Sequence, residues 1–333
     1  MTTLDYINPY AWLMLLRRAF YKKGSLPSEK VDVPVISIGN LTVGGSGKTP
    51  ITKLVAEYLG YELQLKPAII LRGYKRKSKG LLVVSDRKQI LATTDDSGDE
   101  AQAFARELTG VMVICAEDRV QGAQEAIKRG ANVILLDDGF QHLRLQRDCN
   151  ILLVNEGSQG NVIPFGKNRE PINAATDADI VLWMDDSSFH LPHKKDALVA
   201  RATLRAKKLT LLSKETFELS AVGGKRILAV SSIAEPQRFH SLLQSLGAEV
   251  VAHALADHAE YSEEIMRSIY SHAKEAKCDL IITTTKDIVK SEKFYNDVTA
   301  PCPVCVLHIE YEIGDKEKFF EKIGSVMSLR GGL

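Results

Sequence analysis

The sequence predicts an α/β fold: a mostly parallel sheet covered by helices, then a second, smaller α/β domain. Apolar strand-like runs alternate with amphipathic helical patterns along most of the 333 residues, which is typical of parallel strands joined by helices. A polar stretch around residues 185–215 interrupts the alternation, which then resumes. A chain of this length commonly forms two domains. With 45% hydrophobic and 26% charged residues, the composition excludes a disordered, collagen-like or disulfide-scaffold chain.

The first part begins with a buried strand over Val33–Ile38 and a helix over Thr49–Leu59. Its further strands are expected at Ala68–Leu71, Leu81–Val84, Val111–Cys115, Asn132–Leu136, Ile151–Val154 and Ile180–Met184, with helices at Glu100–Leu108 and Arg119–Lys128. Period and length distinguish the two types, because buried strands are short apolar runs and helices repeat their apolar positions every three to four residues.

The second part follows a predicted two-stranded connection, formed by Ala197–Leu204 and Leu209–Leu212. Its elements are expected at Arg226–Ser231, Gln237–Leu246, Val250–Ala254, Glu263–Ala276, Leu280–Thr284 and Val304–Ile309, with a closing helix near Lys316–Ser328. We therefore expect a core domain over 26–200, a two-stranded linker over 201–225 and a smaller domain over 226–333. An N-terminal helix within 1–25 precedes them.

That N-terminal segment is amphipathic. Pro9 suits the first turn of a helix, and the apolar residues that follow recur at helical spacing: Trp12, Leu13, Leu16 and Phe20. The run is too short to span a bilayer, which needs ~20 apolar residues, and it lacks the regions of a secretory signal. Basic residues lie at its tail, so two interpretations stay open: a helix in a membrane interface, or a helix packed on its own domain.

The formal net charge of +1 argues against a surface built for nucleic acid. Local charge is less even: residues 1–30 carry +3, residues 66–80 carry +6 and residues 86–100 carry −3. Such clusters suit either an anionic surface or substrate with a metal-dependent site, or ordinary solvated loops. The five scattered cysteines favour a reducing compartment, and the lone CxxC of Cys302 and Cys305 is more typical of buried thiols than of a metal site.

The strongest chemical signal is Thr42-Val-Gly-Gly-Ser-Gly-Lys-Thr49, between a predicted strand and a predicted helix. In this context, glycines allow backbone N–H groups to surround a phosphate chain, and the helix N-terminus adds positive charge. Lys48 would reach the β- and γ-phosphates and the Thr49 hydroxyl would ligate Mg²⁺. Thr42 stands where a glycine is usual, but the strand–loop–helix context predicts a P-loop NTPase-like core that binds a nucleoside triphosphate.

A phosphate-binding loop needs an acid on a neighbouring strand to organise the metal. Asp137 and Asp138 directly follow the predicted strand 132–136, at the edge where ligands bind in open α/β sheets. Two adjacent acids there repel each other unless a cation neutralises them. His142 follows shortly after, and its spacing leaves both a structural and a site role open.

A third acidic pair, Asp99 and Glu100, lies at the predicted start of a helix. Helix capping explains carboxylates there; a catalytic explanation makes Asp99 the base and Glu100 a metal ligand. In the smaller domain, Asp257-His258 follows a strand, and Lys286-Asp287 ends another. Lys286 suits contact with phosphate or adenine, whereas Asp287 equally suits a helix cap.

Taken in order, these motifs resemble one family. They are Ser37 to Pro50, Leu71-Arg-Gly-Tyr74, Gly98-Asp-Glu100, Asp137-Asp-Gly-Phe-Gln-His142, Pro164-Phe-Gly166 with Arg169-Glu-Pro171, Ala256-Asp-His258 and Thr284-Thr-Lys-Asp287. The set is similar to the tetraacyldisaccharide 4′-kinases, the lipid A 4′-kinases of Gram-negative bacteria, from about residue 5 to 310. The threonine at position 42 is part of the resemblance.

The resemblance implies an ATP- and Mg²⁺-dependent kinase that phosphorylates the 4′-hydroxyl of a tetraacyl disaccharide 1-phosphate. It implies catalytic roles for Asp99, His258, Lys48 and Asp138. It places the nucleotide on Thr42, Val43, Gly44, Gly45, Ser46, Gly47, Lys48, Thr49 and Lys286, and the metal on Thr49, Glu100, Asp137 and Asp138. Arg72, Tyr74, His142, Arg119 and Arg169 are the expected substrate contacts.

The resemblance also favours membrane contact for residues 9–23. The expected protein is a monomer at the cytoplasmic face of the inner membrane, peripheral to it, with no nucleic-acid partner. Two other classes remain to be distinguished, a nucleotide-switched regulatory protein and a soluble small-metabolite kinase. The sequence lacks an obvious Asn-Lys-x-Asp stretch for guanine, and a soluble kinase has no use for an interfacial helix.

Overall fold

The computed structural model describes residues 4–44, 47–184, 187–213, 215–233, 235–256, 259–294 and 300–330. The chain divides into two compact units. Unit 1 comprises Met1–Thr203 and Tyr311–Leu333, and unit 2 comprises Leu204–Glu310. Both units are α/β, and their sheets are mostly parallel, which confirms the predicted fold class.

The helices of unit 1 are α1 (Pro9–Lys22), α2 (Lys48–Glu57), α3 (Thr94–Ser97), α4 (Asp99–Glu107), α5 (Arg119–Lys128) and α9 (Lys316–Leu329). A π-helical turn, Tyr58–Glu62, continues α2. Its strands are β1 (Val35–Asn40), β2 (Pro67–Leu71), β3 (Leu82–Asp86), β4 (Met112–Cys115), β5 (Val133–Asp137), β6 (Cys149–Val154) and β7 (Ile180–Met184). The strand order is β7-β6-β1-β5-β2-β4-β3, with β3 antiparallel to β4 and the other neighbours parallel.

The centre of this sheet is β1, in which every residue is buried. It lies between β5 and β6, and parallel strands covered on both faces are apolar throughout. From β1 the chain first builds one side of the sheet and later returns to the other side at β6. The end of β1 is therefore a topological switch point, where open α/β sheets bind ligands.

Unit 2 contains β9 (Thr216–Phe217), β10 (Arg226–Ser231), α6 (Pro236–Ser245), β11 (Glu249–Ala254), α7 (Glu263–Glu275), β12 (Leu280–Thr284) and α8 (Thr285–Ser291). Strands β11, β10 and β12 and the first residues of β13 (Val304–Ile313) are parallel neighbours in that order. Alternate strand residues enter two separate hydrophobic clusters, because successive side chains of a strand point to opposite faces.

The two segments predicted to form the connection, Ala197–Leu204 and Leu209–Leu212, belong to one strand. β8 runs without a break over Leu198–Leu211 and begins in unit 1 beside β7. The second strand that crosses the boundary between the units is β13. Exposed Arg205, Lys207 and Lys208 separate the apolar runs of β8, and this charged interval gave the sequence pattern of two strands.

The C-terminal helix belongs to unit 1, whereas the predicted boundaries placed residues 311–333 in the smaller domain. Phe320 of α9 stacks on Tyr58 with ring centroids 4.1 Å apart. Arg330 pairs with Asp148 at 2.6 Å. These contacts join elements that are distant in sequence, so a local pattern does not reveal them.

Helix α1 is anchored at both ends within unit 1. Asn8 caps it by accepting from Tyr10 N, and its Nδ2 donates to the Ile163 carbonyl at 3.0 Å. Arg18 is buried and forms ion pairs with Glu170 and Asp177. Among the described residues, no helix has the length and apolar character required to span a membrane.

Candidate active site

The predicted phosphate-binding loop leads from the switch point of β1 into α2. Gly44 and Gly47 adopt left-handed conformations with φ of +104° and +77°, which glycine accepts without strain. Gly47 is the N-cap of the ten-residue α2, and no side chain caps this helix. The first amides of α2 are therefore available to an anion. Gly45 and Ser46 lie outside the described residues.

Thr42 is an anchored residue. It is buried, and its Oγ1 accepts a 2.8 Å hydrogen bond from Asn40 Nδ2. The next residue, Val43, donates its backbone N–H to the Lys167 carbonyl at 2.8 Å. A hydroxyl at position 42 therefore fixes the start of the loop where other phosphate-binding loops have a glycine.

Lys48 points from α2 towards the end of β5. Its Nζ lies 3.3 Å from Asn40 Oδ1 and 3.5 Å from Asp138 Oδ1. The side chain is mostly covered, so its charge acts at low effective dielectric on the groups around it.

The two acids after β5 have different surroundings. Asp137 is fully buried and accepts from Thr52 Oγ1 at 2.8 Å. Burial, and then the nearby Glu100 charge, raise the pKa of Asp137 to about 7. Asp138 has 31% of its side chain exposed and pairs with Arg169 at 2.8 Å. Burial acts to raise the pKa of Asp138, but Lys48 and Arg169 outweigh it and lower that pKa.

Helix α4 presents Asp99 and Glu100 in its first turn. Its N-cap is Gly98, with φ +84° and no side-chain cap. A Cβ on Gly98 would lie 3.0 Å from the Tyr74 carbonyl oxygen, so only glycine fits. Neither acid is the N-cap, but both lie in the first turn, where the helix dipole favours carboxylates, so the structural and the catalytic explanations both stay open. Glu100 is close enough to raise the pKa of Asp137.

The strongly basic and acidic segments of the sequence contact each other. Lys77 pairs with Asp95 at 2.6 Å, and Ser78 Oγ donates to the Asp96 carbonyl at 2.6 Å. Arg76 has only 2% of its side chain exposed and pairs with Glu117 at 2.7 Å. Two of the six basic side chains of residues 66–80 are therefore paired with acids within unit 1.

Comparisons with known proteins agree with this geometry. The sequence profile of the family described as tetraacyldisaccharide-1-P 4′-kinase matches residues 7–328. The chain belongs to this family. A tetraacyldisaccharide 4′-kinase of Anaeromyxobacter sp. (strain K) is 36% identical over 299 residues, covering 85% of this chain and 79% of the relative. The corresponding protein of Desulfotalea psychrophila is 36% identical and covers 87% of both chains.

A solved structure shows the same fold. LpxK from Aquifex aeolicus, crystallised in complex with ATP, has a TM-score of 0.77, 28% sequence identity and 97% coverage of both chains. The predicted family, the enzyme class of kinase and the P-loop NTPase-like fold are therefore confirmed.

Two of the predicted substrate residues, Arg169 and Arg119, lie near Asp138, and a third, His142, lies near Arg119. Arg169 contacts Asp138 itself. Arg119 is buried and donates to the carbonyls of Ala116 and Glu117; burial lowers its pKa, although the Asp138 charge opposes this. Burial, Arg119 and Arg147 lower the pKa of His142 to about 4. The His142 Nε2 atom is covered and makes no hydrogen bond within the described residues.

The other two, Arg72 and Tyr74, are on the exposed side of the loop after β2. Tyr74 is 61% exposed. Lys75 follows it with φ +58°, a left-handed conformation that is costly for a residue with a Cβ. Arg72, Tyr74 and Lys75 at this tip are all exposed and so accessible to an anionic partner.

Unit 2 contains the remaining predicted site residues. Lys286 lies in the first turn of α8. Asp287 is fully buried and accepts from Ser232 Oγ at 2.5 Å and from Thr284 Oγ1 at 2.6 Å, so it joins α8 to the end of β10. Asp257 and His258 lie outside the described residues.

The CxxC motif is divided between two clusters of unit 2. Cys305 packs with Leu307 and its neighbours on one face of the sheet, and Cys302 with Val304 on the other. The two thiols are nevertheless close enough for Cys302 to contribute to the raised pKa of Cys305, after burial. Within the described residues, no group of three or more potential ligands suited to a metal is present by arrangement alone.

Sequence reasoning missed three residues that organise the site. Asn40 holds both Thr42 and Lys48, and Thr52 holds Asp137. Gln141 donates from Nε2 to the Asn40 carbonyl at 2.9 Å. Thr52 carried a usable signal, because it lies four residues after Lys48 and therefore on the same face of α2.

Proposed function

We propose that this chain transfers the γ-phosphate of ATP to the 4′-hydroxyl of a tetraacyldisaccharide 1-phosphate, a step in lipid A biosynthesis. One observation supports this above all: an uncapped α2 N-terminus faces a cluster of Lys48, Asp137 and Asp138 at the switch point of the sheet. The related LpxK binds ATP in its solved structure. The lipid acceptor is inferred from the activity of the family, which is described as tetraacyldisaccharide-1-P 4′-kinase.

A Mg²⁺ ion fits the residues at the end of β5. The charges of Glu100 and Asp138 both raise the pKa of Asp137, and Lys48, Arg169 and Arg119 are near enough to oppose the charge of Asp138. A hard divalent cation prefers carboxylate oxygens. Thr49, Glu100, Asp137 and Asp138 would hold it together with phosphate oxygens of the nucleotide, because the described acids form no complete metal site by themselves and Mg²⁺ typically takes one or two carboxylates plus substrate phosphates. When bound, Mg²⁺ neutralises and aligns the phosphate oxygens.

The side chains of this chain supply the rest of the chemistry. Lys48 donates to the phosphoryl oxygens and stabilises the charge that develops on them. Asp99, in the first turn of α4, accepts the proton of the attacking hydroxyl, which adds about 10²–10⁴-fold to the rate. The resemblance also implies that His258 is paired with the base Asp99; this role, and that of Lys286 as a nucleotide contact, stay predictions.

We further propose that the exposed face of α1 contacts the membrane. Trp12, Leu13, Leu16 and Phe20 are 46, 57, 50 and 48% exposed, whereas Ala11 and Arg18 on the opposite side are buried. Apolar side chains at this spacing suit shallow insertion into a lipid interface. The enzyme would then work as a peripheral monomer at the cytoplasmic face of the inner membrane, close to its lipid acceptor.

The substrate contacts divide by location. The exposed Arg72 and Tyr74 suit the sugar or phosphate groups of an incoming lipid. The covered Arg119 suits recognition of an anionic group deeper in the site, the neutral His142 suits a hydrogen bond there, and Arg169 would act through Asp138.

The test uses purified protein, ATP, Mg²⁺ and a tetraacyldisaccharide 1-phosphate in neutral detergent micelles. Mass spectrometry should detect a bisphosphorylated product, and ADP should form in proportion to it. An acceptor whose 4′-hydroxyl is blocked serves as control and should give neither. ATP hydrolysis at the same rate with and without acceptor would instead favour a nucleotide-switched regulator.

A further inference from the structure

The turn after Asp138 is held by three arginines. The carbonyl of Phe140 accepts from Arg18 Nη2 at 3.2 Å, and that of Gln141 accepts from Arg17 Nη1 at 3.1 Å. The carbonyl of His142 accepts from Arg147 Nη1 at 3.2 Å. Three consecutive carbonyls are thus each bound by a different guanidinium, and two of these come from α1.

This turn fixes the position of Asp138. Asp138 itself has φ +53°, a conformation that surrounding contacts must hold in place. Gly139 has no room for a side chain, because a Cβ would lie 2.5 Å from Leu136 Cβ and 2.8 Å from Ser37 Oγ. Its N–H donates to the Ile38 carbonyl at 3.1 Å. A shift of the turn would therefore move Asp138 relative to β1.

The turn also reaches the phosphate-binding loop. Gln141 Nε2 donates to the Asn40 carbonyl at 2.9 Å, and Asn40 in turn contacts Lys48. Arg169, which pairs with Asp138, lies 3.4 Å from Gln141 Oε1. Asp138, Gln141 and Lys48 therefore form one connected network. Arg17 and Arg18 bind this network through the carbonyls of Gln141 and Phe140.

The two arginines of α1 differ in their surroundings. Arg18 is buried, donates to Glu170 at 2.5 Å and to Asp177 at 2.6 Å, and lies 4.6 Å from the centre of the Phe140 ring. Arg17 is only partly buried and reaches the turn through its bond to Gln141. Charge-assisted bonds of this kind are stronger than neutral ones, and Arg17 can be changed without leaving a buried acid unpaired.

We propose that Arg17 and Arg18 are positioning residues for phosphoryl transfer: by binding the carbonyls of Gln141 and Phe140, helix α1 holds Asp138 in its working position. Arg18 lies on the face opposite the proposed membrane contact, whereas Arg17, four residues after Leu13, lies at the edge of that contact. A consequence, which rests on that proposed function, is that one rigid element, α1, both contacts the membrane and holds Asp138 in position.

The test compares Arg17→Met with Arg144→Met in neutral detergent micelles. Methionine keeps an unbranched stem and removes the guanidinium. Arg144 is close to the same turn in sequence, but it pairs with Glu29 and Asp118 at the surface. We expect R17M to lower kcat by about three- to tenfold with KM for both substrates within about twofold, and R144M to match the wild type.

Hydrogen exchange of the peptide covering 138–143 provides the second measurement. Exchange should be faster in R17M and unchanged in R144M, and Arg17→Lys, which keeps a donor, should lie between wild type and R17M in both measurements. A kcat within about twofold of wild type in R17M overturns the positioning role, as does equal loss in R144M. Lower kcat without faster exchange overturns it too.

Vesicle binding is measured separately, by co-sedimentation of the wild type. Failure to bind vesicles would contradict the membrane contact and leave the detergent comparison intact. The reverse result, vesicle binding with an unaffected R17M enzyme, would retain the membrane contact and remove the positioning role.

Discussion

Thr52 donates a 2.8 Å hydrogen bond to Asp137, although the two residues are 85 positions apart in the chain. The bond joins the second turn of α2 to the end of β5, and both residues are buried. It links the helix that begins at Lys48 to the acid that a phosphate-binding site needs on a neighbouring strand. The same bond opposes the effect of burial on the pKa of Asp137, because it stabilises the charged form of the carboxyl.

We expect Thr52→Val to shift the acid limb of the turnover–pH profile to higher pH. Loss of the donor removes an interaction that lowers the pKa of Asp137, so more of the carboxyl is protonated at a given pH. Deprotonated Asp137 is the form that suits a cation. The measurement is turnover from pH 5.5 to 9 at saturating ATP and acceptor and limiting Mg²⁺, because a saturating cation would itself hold Asp137 deprotonated; this is about the range over which a carboxyl raised towards neutrality titrates.

Thr52→Ser is the matched control, because it keeps the hydroxyl and removes only the methyl group. Its profile should follow that of the wild type. The variants should also differ in stability, since an unpaired buried carboxylate oxygen costs about 1–3 kcal/mol. Superimposable profiles for T52V and T52S would show that Asp137 does not control the acid limb.

Asp99→Ala should lose far more turnover than ATP affinity. A positioned base contributes about 10²–10⁴-fold to the rate, whereas the nucleotide is expected on the loop before α2 and on Lys48. Turnover is measured with the lipid acceptor, and ATP affinity by titration of the same protein. Near-normal turnover in D99A would refute the assignment of the base.

The secondary structure was largely predictable because the strands are short apolar runs between clear helical patterns. The bounds of α5 and β10 agree with the prediction to the residue. β8 was misjudged as two strands, since its charged centre breaks the apolar run. The place of α9 in unit 1 depends on long-range contacts such as Tyr58 with Phe320, which no local pattern encodes.

The chemistry of the site was predictable only in part. Motif context indicated Lys48, Asp137 and Asp138, because phosphate and metal chemistry demand those residue types. The different surroundings of the two acids were not predictable, since they depend on Thr52 for one and on Arg169 for the other. Such partners are distant in sequence, and threonine and arginine are too common for their presence alone to reveal the contact.

Polar substitutions on the exposed face of α1 should weaken membrane binding without changing turnover in detergent. In Leu13→Ser/Leu16→Ser, two side chains that would be buried in lipid are lost, and each is worth about 1.5–3 kcal/mol when fully buried. We therefore expect binding to anionic lipid vesicles to fall by at least about tenfold. Co-sedimentation with vesicles measures this.

Tyr61→Ser is the control for that experiment. Tyr61 is as exposed as Leu13, at 59%, but lies in the turn after α2. Its loss should leave vesicle binding intact. Equal weakening by both variants would mean that general surface hydrophobicity, and not α1, accounts for the binding.

Gly98→Ala should impair both stability and turnover, and Gly110→Ala separates the causes. Both glycines have similar φ, +84° and +81°, so both variants incur the left-handed penalty of about 1–2 kcal/mol. Only at Gly98 would the new Cβ approach the Tyr74 carbonyl, at 3.0 Å; at Gly110 nothing lies within 4 Å. Thermal unfolding should therefore show a greater loss for G98A, and kcat should fall in G98A alone because the clash displaces Asp99. Equal kcat in the two variants would show that turnover does not depend on the position of this helix start.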